Sequence, residues 1–191
     1  MIRVFAALVL MLPFPALAHH PSGGLPPASL WEGIASGIAH PILGLDHLAF
    51  LLAAGLLLSA APRALIAFLG AALGGALLHR AGWGLGPVEV VVAASVIVAG
   101  AVLVVAGRAR PAAALLIPAF ALAGLFHGHA LAEAAVASPA LVFAGYLAML
   151  TVMQTGIALG AMVVARCITG ALPFRAAGFA AMAIGIVFLA A

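Results

Sequence analysis

Residues 87–107 read PVEVVVAASVIVAGAVLVVAG, a run in which Glu89 is the single charge. A helix needs roughly 20 mostly apolar residues to cross the hydrocarbon of a bilayer, and this run meets that need alone. A helix that is apolar all round must lie in lipid or in the core of a large protein, and 191 residues leave no polar remainder to wrap it. Five runs of the same kind surround it, at 31–59, 63–79, 111–131, 140–166 and 172–191. Helix breakers separate them: Ala61-Pro62, the glycine-rich 82–87, Arg108 to Pro111, Ser138-Pro139 and Gly170 to Pro173. The predicted fold is an all-α integral membrane protein, a compact six-helix transmembrane bundle over residues 19–191.

Composition supports this reading. The chain is 68% hydrophobic and 6% charged, with a mean hydropathy of +1.38, against about 45–50% apolar and roughly a quarter charged in soluble domains. A soluble enzyme, a disordered chain and, with Cys167 as the one cysteine, a disulfide scaffold are excluded. The net charge of +3 does not signal nucleic acid. Its arginines stand singly from Arg3 to Arg175, whereas phosphate binding needs a clustered basic face.

Before the first span, Arg3 precedes nine apolar residues (4–12), then Pro13, Pro15 and Ala16-Leu17-Ala18. This is the pattern of a secretory signal with a small-residue cleavage site. Cleavage after Ala18 is expected, leaving His19 as the mature N-terminus. With that terminus outside, Arg63, Arg108, Arg110, Arg166 and Arg175 fall inside, and only Arg80 falls outside, with Glu32, Glu89 and Glu133. That bias follows the positive-inside rule and predicts a multi-pass membrane protein with its mature N-terminus outside. Small-residue pairs Gly70-x3-Gly74 and Gly156-x3-Gly160 are expected to pack helices closely inside the bundle.

Function is carried by titratable residues within the spans. Such side chains cost on the order of 3 kcal/mol to insert, so they usually face an interior and mark a pathway. Here they are His40, Asp46, His47, His79, Glu89, His127, His129 and Glu133, all between the outer face and the midplane in this topology. On an unbroken helix His40 and His47 would lie about 10 Å apart along the axis. Pro41 and Gly44 between them favour a kink or an unwound turn that shortens the gap, a device common in transporters. Imidazole beside carboxylate suits Ni, Co, Zn or Cu(II). His129 and Glu133 share a helix face at i, i+4, with His79 as a neighbouring imidazole. His127 and His129 would point about 200° apart on a regular helix, so both reach one ion only if Gly128 loosens the turn. His19 and His20 at the mature N-terminus could capture metal outside.

The stretch Gly33-x3-Gly37-x2-His40-Pro41-x2-Gly44-x-Asp46-His47 resembles the signature of the HupE/UreJ hydrogenase/urease accessory family, as does Phe126-His127-Gly128-His129. The resemblance extends over nearly the whole chain, with a Glu opening the third span and Gly-x3-Gly in the fifth. It implies a permease for nickel, with cobalt as a second cargo, that supplies metal for hydrogenase or urease maturation. By that resemblance His40, Asp46 and His47 are metal-route residues, with His127 and His129 beside them. The chain departs from the family pattern at Leu131 and Met153, where the family often carries histidine. Met149 and Met153 place two thioethers on one face, which would suit a softer ion such as Cu(I) or simply fill the core. Gln154 beside them could line the inner half of the path.

The leading expectation is therefore metal transport without catalysis. The ion (Ni2+, or Co2+, copper or Zn2+) is cargo, and no prosthetic group is expected. Residues 70–75 lack the Lys-Ser/Thr of a phosphate-binding loop, so no nucleotide partner is expected. No His-Glu-x2-His motif occurs, and Ser95 lacks the glycine setting of a membrane serine protease. The alternatives are a membrane metal sensor and a permease for another metal such as copper. A homo-oligomer and cytoplasmic metallochaperones as receivers stay open.

Overall fold

The computed structural model describes residues 25–59, 61–109 and 111–191; the signal segment 1–18, His19, His20 and Arg110 lie outside these. The described residues form seven helices and no strand: α1 (Leu30–Leu43), α2 (Leu45–Leu58), α3 (Pro62–Arg80), α4 (Val88–Ala106), α5 (Ala113–Ala132), α6 (Ala140–Cys167) and α7 (Leu172–Ala190). Helices α3 to α7 are each long and apolar enough to cross a membrane. The first predicted span is instead two helices meeting at 73°.

Local chemistry explains that break. Ser29 and Glu32 form a capping box that starts α1, satisfying N–H groups the helix leaves open. Pro41 then removes a donor from within α1, and at Gly44 the backbone turns extended, with φ −74° and ψ 97°. Gly44 N–H still reaches His40 O at 3.0 Å, and Leu48 N–H reaches Gly44 O at 2.8 Å, so backbone hydrogen bonds hold the turn from both sides. Any residue could adopt that φ. Space is tight there, since a Cβ would stand 3.3 Å from His40 O and 3.4 Å from His47 Nδ1.

Helix α2 lies at the centre, touching α1, α3, α4, α6 and α7. Around it stand three close pairs, α3 with α5, α4 with α7, and α1 with α6. Along α6 the contacts advance in order: Gly33 of α1 faces Val142, Gly37 faces Tyr146, and Gly55 of α2 faces Ala158. The bent pair therefore travels one way along one long helix, the course of one broken span, and with it the described residues hold six candidate spans.

The tight crossings use other glycines than the expected ones. Gly124 and Gly128 of α5 press on the carbonyls of Phe68 and Ala72 in α3, and Gly75 presses on that of Leu125. Gly100 of α4 meets Gly178 of α7. By contrast Gly70, Gly74, Gly156 and Gly160 face open space, which corrects the expectation that these two motifs pack the bundle. Large apolar side chains such as Ile66, Val98, Val105 and Leu115 point outward and are more than half exposed, as lipid contact requires.

The two ends of the bundle differ. At one end α2 and α4 finish beside the start of α7, near Arg108 and Phe174. At the other end α3 and α5 finish where α4 and α6 begin, and every in-span histidine lies in this half. There Arg80 donates to Val136 O at 2.8 Å and Ser138 O at 3.0 Å and covers the Phe143 ring, clamping the α5–α6 turn.

Candidate metal route

The helix break places His40 and His47 together. Their ring centroids are 6.3 Å apart, shorter than the gap along an unbroken helix. Asp46 lies in the first turn of α2, where the positive end of the helix dipole favours a carboxylate. His47 Nδ1–H donates to Asp46 Oδ1 at 3.0 Å. His47 is 7% exposed and Asp46 3%, and His47 Nε2 is buried with no hydrogen-bond partner among the described residues. An orphaned polar atom in an apolar bundle is costly, which makes this nitrogen a candidate ligand position.

Helix α5 brings His127 to the same place. It is 1% exposed, and its ring centroid is 5.0 Å from that of His47. Behind it stands an aromatic group: Phe50 at 4.2 Å and Phe68 at 6.0 Å between centroids, with Phe120 5.7 Å from Phe50. The buried cluster is thus closed by apolar rings on its far side.

His129 lies elsewhere. Helix α5 stays regular through Gly128, because that glycine is spent on the approach to Ala72 and does not loosen the turn. His127 and His129 therefore belong to two groups. His129 Nε2–H donates to Trp83 O at 2.9 Å, and its Nδ1 is 3.1 Å from His79 Nδ1. His79 Nδ1 is also 2.8 Å from His129 O. This second pair borders a cavity of about 380 Å³ that Glu89 and Glu133 also line. Both glutamates are exposed. Gly86, at φ +80°, turns the chain into α4 in a conformation that only glycine adopts freely, bringing Glu89 to the rim.

No three His, Cys, Asp or Glu side chains among the described residues converge as a preformed metal cage. The eight candidate residues of the spans form two groups instead, one buried (His40, Asp46, His47, His127) and one around the open cavity (His79, Glu89, His129, Glu133), in which His129 is itself buried. On α6, Met149 backs the crossing with Gly37, a packing position. Met153 is half-buried, and Gln154 is 2% exposed, about two turns beyond Tyr146.

Two residues that the sequence reading did not place at the site touch the buried group. Tyr146 Oη is 3.2 Å from His40 Nδ1 and donates to Leu131 O. Ser95 Oγ is 2.8 Å from His127 Nε2 and donates to Val92 O at 2.7 Å. Tyr146 is the one tyrosine of the chain and Ser95 a lone hydroxyl in the Val- and Ala-rich α4. An isolated polar group within a span was the available signal for both.

A family model described as HupE / UreJ protein matches residues 7–188, nearly the whole chain. Neither a curated protein nor a solved structure matches it.

Proposed function

The chain belongs to the HupE/UreJ family, a transporter or accessory family associated with nickel and cobalt uptake, and from that premise we propose that it carries a transition-metal ion, nickel first and cobalt second, through the membrane. The observation that carries this reading is the pairing of an open, carboxylate-rimmed cavity with a buried imidazole–carboxylate group at a broken helix. Glu89 and Glu133 concentrate cations at the mouth, since charged clefts raise the local concentration of counter-ions. His79 and His129 begin to replace the ion's water. The ion then meets His40, His47 and His127, with Asp46 compensating its charge. Onward passage requires Phe50, Phe68 and Phe120 to part, after which Gln154 and the thioether of Met153 are candidate inner stations.

In this proposal the protein sits in the bacterial inner membrane with its mature N-terminus and the histidine-bearing half toward the periplasm. His19 and His20 collect metal there, and the cargo serves hydrogenase- or urease-type metalloenzyme maturation through cytoplasmic metallochaperones. The test is accumulation of Ni2+, Co2+, Zn2+ and Cu(I), presented separately to proteoliposomes holding the full chain. Saturable accumulation of nickel or cobalt is expected. Preference for Cu(I) would reassign the cargo and make Met149 and Met153 ligands. A second reading, a membrane protein that holds metal without passing it, is favoured by the aromatic closure behind His127. Binding without interior accumulation would select it.

A further inference from the structure

Proton accounting around the buried group decides which nitrogen of each imidazole carries its lone pair. A hydroxyl has one proton to donate. Tyr146 gives its proton to Leu131 O, one of the last-turn carbonyls that α5 leaves open. Its contact with His40 Nδ1 must then run the other way, with the ring N–H donating to the phenolic oxygen. Ser95 repeats the arrangement. Its proton goes to Val92 O, so His127 Nε2–H donates to the serine oxygen. In His47 the Nδ1–H is held by Asp46. A neutral imidazole has one N–H and one lone pair, so each bond fixes the tautomer of its ring. The lone pairs fall on His40 Nε2, His47 Nε2 and His127 Nδ1, and the second of these is the buried nitrogen without a partner.

The geometry assigns Ser95 and Tyr146 as positioning residues that set the ligand nitrogens of His127 and His40, an assignment that rests on the metal-route reading above. Metal-bound histidines characteristically donate their other N–H to an outer acceptor, which orients the ring and raises its basicity. Here two hydroxyls, on α4 and α6, take that role for imidazoles on α5 and α1, while Asp46 takes it for His47. Asp46 then acts as the partner of a ligand and as compensating charge. The hydroxyls do more than fill space: each binds one backbone carbonyl and one imidazole, coupling ring orientation to a neighbouring helix.

The test uses the full chain in lipid vesicles, with two readouts. Nitrogen-15 solid-state NMR of histidine-labelled, metal-free protein reads which ring nitrogen carries hydrogen. The wild type is expected to show His127 protonated at Nε2 and His40 at Nδ1. Ser95→Ala should perturb His127 alone, and Tyr146→Phe His40 alone. Nickel and cobalt uptake is the second readout. Each variant should raise KM about 10–100-fold, the usual loss when an outer partner of a ligand is removed, and Ser95→Thr, which keeps the hydroxyl, should restore it. Opposite tautomers in the wild type would overturn the assignment. So would a wild-type KM in both Ser95→Ala and Tyr146→Phe while His127→Ala and His40→Ala abolish uptake, and so would a Ser95→Thr as impaired as Ser95→Ala. A wild type with the expected tautomers that neither binds nor accumulates metal would overturn the metal-route reading and, with it, the positioning role. That outcome is distinct from the others because the wild type itself is then inactive.

Discussion

The imidazole of His47 stands edge-on to that of His127, ring centroids 5.0 Å apart and planes at 82°. The two rings come from α2 and α5, and no repeat or motif links them in the chain. The arrangement leaves the Nε2 of His47 buried without a hydrogen-bond partner among the described residues, a costly state for a polar atom.

Asp46→Asn keeps the size and an acceptor oxygen for His47 but removes the charge that offsets a cation in a low-dielectric setting. Metal uptake should fall by at least about tenfold, as for loss of a partner to a ligand. The variant should elute and melt like the wild type. Full uptake in vesicles would refute the role of this carboxylate.

Gly128→Ala should destabilise the bundle by about 1–3 kcal/mol, the usual cost of overpacking, because its Cβ would collide with Ala72 O. Gly74→Ala faces open space and should be neutral or slightly stabilising, since alanine favours helix by about 1 kcal/mol over glycine. Thermal melts of the two variants in one detergent compare them directly. Equal melting temperatures would contradict the α3–α5 crossing described here.

Glu89→Gln with Glu133→Gln removes both carboxylates from the rim of the open cavity. Uptake at low ionic strength should slow by about tenfold, and the deficit should shrink as salt screens the field. A deficit independent of salt would instead indicate direct ligation by one of the glutamates.

Phe50→Ala removes the ring that backs His127 at 4.2 Å. Release of nickel from preloaded vesicles down its gradient should quicken several-fold. The same cut should cost about 3–5 kcal/mol of stability, as for other buried Phe→Ala changes. Unchanged release from a folded variant would place the barrier elsewhere.

Much of the fold was legible residue by residue. The runs separated by Pro and Gly predicted five helices to within a few residues, because an apolar run of spanning length has no soluble alternative. The broken first span was legible in Pro41 and Gly44, since the local backbone chemistry of those residues does not depend on distant contacts. The pairing of Asp46 with His47 followed from adjacency at the start of α2. The divergence of His127 and His129 followed from helical periodicity once the turn is regular.

The sequence by itself therefore determined the class of fold, the five long spanning helices, the break and the inventory of titratable side chains within the spans. Only the tertiary structure decided which histidines share a site, that Ser95 and Tyr146 hold two of them, and that Gly75, Gly124 and Gly128 pack the helices while Gly70, Gly74, Gly156 and Gly160 look outward. The physical reason lies in the solvent. In water a helix declares its inner face by an apolar stripe, but in lipid both faces are apolar and close packing takes over the task of joining them. How far each helix is rotated about its own axis is then decided by contacts with other helices, and that rotation selects which polar side chains meet.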